Sequence, residues 1–282
     1  MINGLENMET KIPFIKMHGT GNDFVIIDAR YNNYPNLDYK KIANRKRGIG
    51  CDQVIIINHS TKADCMMNIF NTDGSSAEMC GNAARCVVDL IISEKGNNCA
   101  TIELIGHRII NGERLNNNQV RVSMGKPLLE WNEMPLSTPC DTLNLPIELG
   151  PLANPVGVSM GNPHAVFFVD NISNIPFEEL APKLEKHSLF LNGANISIAQ
   201  ITDDRKQINM KVWERGVGIT DSCGSAACAA LVAAVRRGYI DVNEEVIIRL
   251  PGGDLFVELS EDYEVFIRGE IAYVFYGELI LK

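Results

Sequence analysis

The chain has few of the patterns that hold metals or cross membranes. Only five of its 282 residues are histidine, and neither C-x-x-C nor H-x-x-x-H spacing occurs, so a metal site built on those ligand pairs is excluded. Long hydrophobic runs are missing too. The longest, Ala226 to Val235, ends at Arg236-Arg237-Gly238 and is too short for a membrane-spanning helix. Met1 to Lys16 has no apolar core of signal-peptide length. The expectation is a cytoplasmic protein without membrane association, with Met1 to Thr10 as a loose extension. Positive charge is also scarce: 26 Lys and Arg against 35 Asp and Glu leave a net charge of −9, which argues against a nucleic-acid partner. The only basic run, Lys40-Lys41…Arg45-Lys46-Arg47, reads as the solvated face of a helix.

What the chain does have is cysteine, eight in all. That is too sparse for a disulfide scaffold and suits a reducing compartment. Two of the eight share the same surroundings. Asn71 to Cys86 is a polar loop leading into an apolar helix (Ala83 to Ile92), with Cys80-Gly81-Asn82-Ala83-Ala84 at its mouth. Glu214 to Val235 repeats the design with Cys223-Gly224-Ser225-Ala226-Ala227, 143 residues further on. A second pair stands at nearly the same offset. Gly21-Asn22-Asp23, followed by Phe24 to Asp28, matches Gly161-Asn162-Pro163-His164, followed by Ala165 to Asp170, 140 residues apart. Two motif pairs at nearly one offset indicate an internal duplication.

The remaining elements fit two α/β halves. In the first, Lys16 to Asp23 reads as a Gly-rich turn and Leu37 to Arg47 as a helix. Val54 to Ile57 and Cys65 to Phe70 read as strands, and short strands follow the cysteine helix. Lys126 to Pro155 carries Pro127, Pro135, Pro139, Pro146 and Pro151 without sustained periodicity, and the connection between halves falls at its start. In the second half a helix is predicted over Pro176 to His187, with strands from Ile196 and over Ile208 to Glu214. After the second cysteine helix come strands over Val246 to Leu250, Leu255 to Leu259, Val265 to Arg268 and Ala272 to Leu281, the last pairing back with the first half. The expectation is an α/β (α+β) fold of two pseudo-symmetric domains, each a curled, mostly antiparallel sheet around a central helix. They comprise residues 1–127 with 272–282, and residues 128–271.

Related by a pseudo-twofold axis, the two cysteine loops would face each other across a cleft. A helix N-terminus offers backbone N–H groups to an anion, and its macrodipole is expected to lower the pKa of a thiol placed there. A carboxylate held between two such ends would have its neighbouring carbon flanked by two sulfurs. One removes a proton and the other returns it from the far side, which is an inversion. Each preorganised donor at a developing oxyanion is worth about 3–4 kcal/mol, so several can take the place of the electron sink that a Schiff-base cofactor supplies.

Four segments carry a resemblance. Gly19-Thr20-Gly21-Asn22-Asp23-Phe24, Asn71-Thr72-Asp73-Gly74…Cys80-Gly81-Asn82, Met160-Gly161-Asn162-Pro163-His164 and Glu214-Arg215-Gly216-Val217-Gly218…Cys223-Gly224-Ser225 resemble diaminopimelate epimerase over essentially the whole chain from Lys16. The resemblance implies a cofactor-independent and metal-free epimerase that interconverts LL- and meso-diaminopimelate, on the route to lysine and cell-wall cross-links. It implies that Cys80 and Cys223 are the two bases. Asn22, Gln53, Asn71, Asn162, Asn195, Glu214 and Arg215 would line the substrate pocket, with Arg215 suited to a bidentate grip on the distal carboxylate. The amides of Gly81-Asn82 and Gly224-Ser225 would hold the reacting carboxylate, and His164 would support the reacting centre. Relatives suggest a homodimer. Ala83 and Ala226 stand where many relatives have glycine, and Ser222 where alanine is usual.

Two other readings compete. Proline racemase and hydroxyproline epimerase share a two-cysteine plan, but a histidine is expected soon after the first Cys-Gly, where this chain has Asn82. A thiol redox protein would use a reversible Cys80–Cys223 disulfide. Cys86 and Cys228 fall on buried helix faces, and Cys51, Cys65, Cys99 and Cys140 have no counterparts. The pair Glu214-Arg215 is also readable as an ion pair, and Asp73 and Asp221 as caps of turns or helices.

Overall fold

A computed structural model of the chain describes residues 10–34, 37–115 and 119–281; the extension before Thr10 lies outside the described residues. The first half runs β1 (Thr10–Gly19), β2 (Asn22–Asp28), α1 (Tyr39–Ala43), β3 (Gln53–Asn58), β4 (Cys65–Asn71), β5 (Ser76–Ala77), α2 (Gly81–Lys95), β6 (Cys99–Glu103), β7 (Ile109–Arg114) and β8 (Gln119–Gly125). The Pro-rich segment contributes a small pair, β9 (Glu148–Leu149) and β10 (Leu152–Ala153). The second half then repeats the order with β11 (Val156–Ser159), β12 (Pro163–Phe168), α3 (Phe177–Glu185), β13 (Asn195–Ile201), β14 (Gln207–Glu214), β15 (Gly218–Thr220), α4 (Gly224–Arg236), β16 (Val246–Leu250), β17 (Gly253–Leu259) and β18 (Val265–Leu281).

Pairing repeats as well as order. β2 and β3 lie parallel across α1, as β12 and β13 do across α3. β4 and β6 lie parallel across α2, as β14 and β16 do across α4. The other pairings are antiparallel, so each half is a curled, mostly antiparallel sheet with its apolar helix inside. The sheets join through β18. Its residues 265–270 pair with β8 and, in part, with β17, whereas residues 271–281 pair with β1. The two strands expected over Val265 to Arg268 and Ala272 to Leu281 are therefore one. Gly269 makes no turn there. It leaves room for the guanidinium of Arg85, which a Cβ would approach to 3.1 Å.

Burial explains the sequence patterns. β3 is buried at four consecutive positions, Val54 to Ile57, because α2 covers one face and α1 the other. β12 and β13 are covered by α4 and α3 in the same way. β14, with one wet face, alternates. The helix α4 is buried on every side from Gly224 to Ala234, as expected of an all-apolar, alanine-rich helix at the centre of a sheet. Two expectations need correction. Lys16 to Gly19 is the end of β1, and the turn is confined to Thr20-Gly21. The helix expected over Leu37 to Arg47 covers only Tyr39–Ala43, because Asn44 turns extended and its side chain accepts from the N–H groups of Lys46 and Arg47. The basic run is thus not one solvated face: Arg45 reaches back to the carboxylates of Asp23 and Asp52, at 2.6 and 2.8 Å.

Candidate active site where two helix N-termini meet

Helices α2 and α4 end against each other. A Cβ placed on Gly224 would sit 3.5 Å from the Cα of Gly81 and 3.4 Å from Ile267 Cδ1, so the first residues of the two helices are in van der Waals contact above the shared strand β18. A Cβ on Gly81 would instead crowd Met124 Sδ at 2.9 Å. The residue before each glycine is the N-cap, and both caps are cysteines with extended backbone (φ −145° and −137°). Neither thiol caps its own helix, which leaves the first N–H groups facing the space between.

That space is a cavity of about 390 Å³. Its wall includes both cysteines, Gly81, Asn82, Gly224 and Ser225 from the helix ends, and Asn22, Gln53, Asn71, Asn162 and Glu214 from the strand ends around them. Each polar side chain has an anchor. Gln53 donates to Asn71 Oδ1 at 3.0 Å and Asn162 to Ser225 Oγ at 3.2 Å. Asn82 donates across the two halves to Ser222 Oγ at 3.2 Å. Two acceptors of these residues, Gln53 Oε1 and Asn82 Oδ1, are buried without a partner among the described residues. Asn82 is only 1% exposed, so its free carbonyl is a buried acceptor waiting for a donor.

Three expected residues are not on the wall. His164 and Asn195 are buried behind it: His164 Nε2 bonds Asn162 Oδ1 at 3.0 Å, and Asn195 donates to the Pro163 carbonyl while accepting from the Arg215 N–H, each at 3.0 Å. Arg215 is exposed next to the cavity-lining Glu214, and among the described residues its guanidinium makes a single 3.5 Å bond, to the Asn192 carbonyl. It does not pair with Glu214, whose carboxylate accepts from Thr220 Oγ1 at 2.6 Å. Asp73 caps a turn, accepting from the Ser75 N–H at 2.9 Å. Asp52, Thr72, Met79, Val217, Ile219 and Ser222 line the cavity without having been picked out as site residues. The signals available were adjacency to Gln53 for Asp52, the departure at Ser222, and the place of Thr72 and Val217 inside the resemblance motifs.

The thiols are not acidified as the helix dipole led us to expect. Burial pushes Cys80 up to about 11, against the opposing pull of the Ala83 and Asn82 N–H groups. Burial, then the adjacent Glu214 carboxylate, pushes Cys223 well above the usual thiol range. Desolvation of a charged sulfur outweighs the helix end here. Burial, reinforced by Arg215, pushes His164 down to about 3, so its imidazole is neutral. All eight cysteines are free. Among the described residues no cluster of three or more His, Cys, Asp or Glu side chains is arranged to hold a metal ion, and no helix is long and apolar enough to cross a membrane.

Comparison with known proteins places this geometry. The family model for diaminopimelate epimerase matches residues 14–129 and 156–274. A diaminopimelate epimerase of Wolbachia sp. subsp. Drosophila simulans (strain wRi) is 56% identical over 261 residues, 93% of this chain and 97% of its own. That of Acidiphilium cryptum (strain JF-5) is 46% identical over 269 residues, 95% and 96% of the two chains. Among solved structures, a PhzF-family phenazine biosynthesis protein of Bacillus anthracis superposes with a TM-score of 0.69 at 18% identity, over 96% of this chain and all of its own. A hydroxyproline epimerase of Agrobacterium vitis, with bound trans-4-OH-L-proline, gives 0.67 at 12% identity, over 96% and 93%. At such identities these two share the fold.

Proposed function

The chain belongs to the diaminopimelate epimerase family and is an isomerase, and from that premise we propose that Cys80 and Cys223 interconvert LL- and meso-2,6-diaminopimelate by a two-base mechanism without an organic cofactor. The observation that carries this reading is the contact of the two helix N-termini, each capped by a cysteine and both opening into one cavity. The reacting carboxylate lies between the helix ends, on the amides of Gly81-Asn82 and Gly224-Ser225. The α-ammonium is met by Glu214. Asn22, Gln53, Asn71 and Asn162 take the distal amino-acid group, with Asn195 behind them. Arg215, weakly held next to Glu214, turns inward onto the distal carboxylate.

In the chemical step a thiolate on one face removes the α-hydrogen as a proton, and the C–H pair flows toward the carboxylate oxygens. The thiol on the opposite face then delivers its proton to the carbon. The sulfurs exchange protonation states, and the reverse reaction starts from the exchanged pair. Amides already aimed at the oxygens stabilise the added charge without reorganising, each by about 3–4 kcal/mol. His164, neutral and bonded to Asn162, fixes that amide.

The thiols need a reducing environment, and we place the enzyme in the cytoplasm. The halves framing the cavity are taken as residues 1–127 with 272–282, and 128–271. For a homodimer, the supporting feature is residues 271–281 of β18. They pair only with β1 among the described residues and expose Val274, Tyr276 and Ile280, an apolar open edge of the kind that meets another chain.

The test is incubation with LL-diaminopimelate in D2O without added cofactor. Deuterium is expected at the inverted α-carbon, and epimerisation is lost in both Cys80→Ala and Cys223→Ala. Full epimerisation by either variant overturns the two-base scheme, and turnover of free proline in place of diaminopimelate moves the substrate assignment.

A further inference from the structure

The polar chain behind Cys80 has a direction, and a residue outside the expected site sets it. Asp52 presents a carboxylate, which only accepts hydrogen bonds. Its Oδ1 takes Arg45 Nη2 at 2.8 Å, and its Oδ2 takes the Asp23 N–H at 3.1 Å and Asn22 Nδ2 at 3.0 Å. With the amide nitrogen of Asn22 turned to Asp52, its oxygen must face the other way. There Asn22 Oδ1 lies 3.6 Å from Cys80 Sγ and 3.4 Å from Asn82 Nδ2. Asn82 is oriented in turn. Its NH2 group spans Asn22 Oδ1 and Ser222 Oγ, which leaves its Oδ1 buried beside Gly224. An amide has two orientations of nearly equal shape, and its neighbours decide between them.

We propose that Asp52 is a positioning residue for the epimerisation. By accepting from Asn22 it makes Asn22 Oδ1 an acceptor for the Cys80 S–H and for the Asn82 NH2 group, and so fixes both side chains beside the reacting carbon. The proposal rests on the epimerase reading of the cavity for its substrate, but the thiol orientation is a property of the empty protein. Without an acceptor at position 52 the Asn22 amide is free to turn its NH2 toward the sulfur. That stabilises the Cys80 thiolate and removes the polarity that holds Asn82.

The experiment compares Asp52→Ala with Asp52→Asn, which restores a carbonyl acceptor without the charge. Turnover of diaminopimelate is measured alongside the pH dependence of iodoacetamide alkylation at Cys80 and Cys223, resolved by peptide mass spectrometry. Asp52→Ala is expected to lower kcat about tenfold or more, the scale of a small misplacement of a reacting group. In the same variant the alkylation midpoint of Cys80 falls by about one pH unit, the size of a lost hydrogen bond to the thiol form, while that of Cys223 stays put. Asp52→Asn recovers most of both. Equal damage in the two variants would mean that the charge facing Arg45 matters and the acceptor does not, which overturns the proposal. So does an unchanged Cys80 midpoint in Asp52→Ala, or a parallel shift at both cysteines. A wild-type protein that does not turn over diaminopimelate defeats the functional reading instead, and the alkylation profiles still decide the role of Asp52.

Discussion

Replacing Gly252 by alanine is expected to slow the enzyme from a position outside the cavity wall. Gly252 lies in the turn between β16 and β17, wedged between the halves. Its N–H donates to the Asp221 carbonyl at 2.7 Å, and a Cβ there would sit 2.9 Å from two backbone oxygens, those of Asp221 and Thr20. Gly252 does not adopt the left-handed conformation, so alanine brings no torsional strain and the whole effect is steric. Neither oxygen belongs to a flexible side chain. Relief requires the Thr20-Gly21 turn and the Asp221 loop to separate by about 0.3–0.5 Å in all, an overpacking cost of about 1–3 kcal/mol. Thr20 stands two residues before Asn22, and Asp221 two before Cys223, so the displacement is delivered to both sides of the reacting carbon. Since a 1 Å misplacement costs on the order of 100-fold in rate, about tenfold is expected in kcat. Thermal unfolding and steady-state epimerisation of Gly252→Ala measure the two effects. Wild-type Tm together with wild-type kcat would refute the wedge.

Two further outcomes are expected. Burial holds His164 at about 3, below its ordinary value near 6.5, so between those limits the unfolded chain binds a proton that the native protein does not. This contribution to stability is full above about pH 6.5 and is lost as pH falls toward about 3, at up to about 1.4 kcal/mol per pH unit. Denaturant titrations of the wild type and His164→Gln across that range should differ in slope, and identical slopes would show that His164 titrates normally. At the open edge of β18, Val274→Asp is expected to convert the dimer into monomers in sedimentation velocity; a wild type that is itself monomeric rejects that interface.

The duplication was legible because two motif pairs kept both spacing and chemistry. In both copies cysteine, glycine, a polar residue and two alanines open an apolar helix, and Gly21 and Gly161 both adopt positive φ (82° and 101°) at matching hairpin turns. The continuous apolar runs were readable as doubly covered strands for the same local reason. Local pattern failed where a residue served a distant partner. The two strands expected on either side of residues 269–271 are one, and Gly269 passes through β18 where a Cβ would crowd Leu255 and Arg85. Arg85 itself lies in the cysteine helix, fully buried, and donates to Thr20 Oγ1 at 2.9 Å; nothing in its neighbours along the chain announces that contact. The thiol pKa values went the other way from expectation because a helix end is a local feature, whereas desolvation depends on everything packed around the sulfur.

The order of residues was enough to settle that the chain is built twice, that each copy sets a cysteine at a helix mouth, and which family it joins, since these are matters of spacing and side-chain type. Folding alone decided that the two mouths meet at Gly81 and Gly224, that Arg215 stays exposed while Asn82 reaches across to Ser222, and that Asp52 orients the amides behind Cys80. Those outcomes depend on distances between segments more than a hundred residues apart, or on which neighbour supplies a donor, and neither is written in any short stretch of the chain.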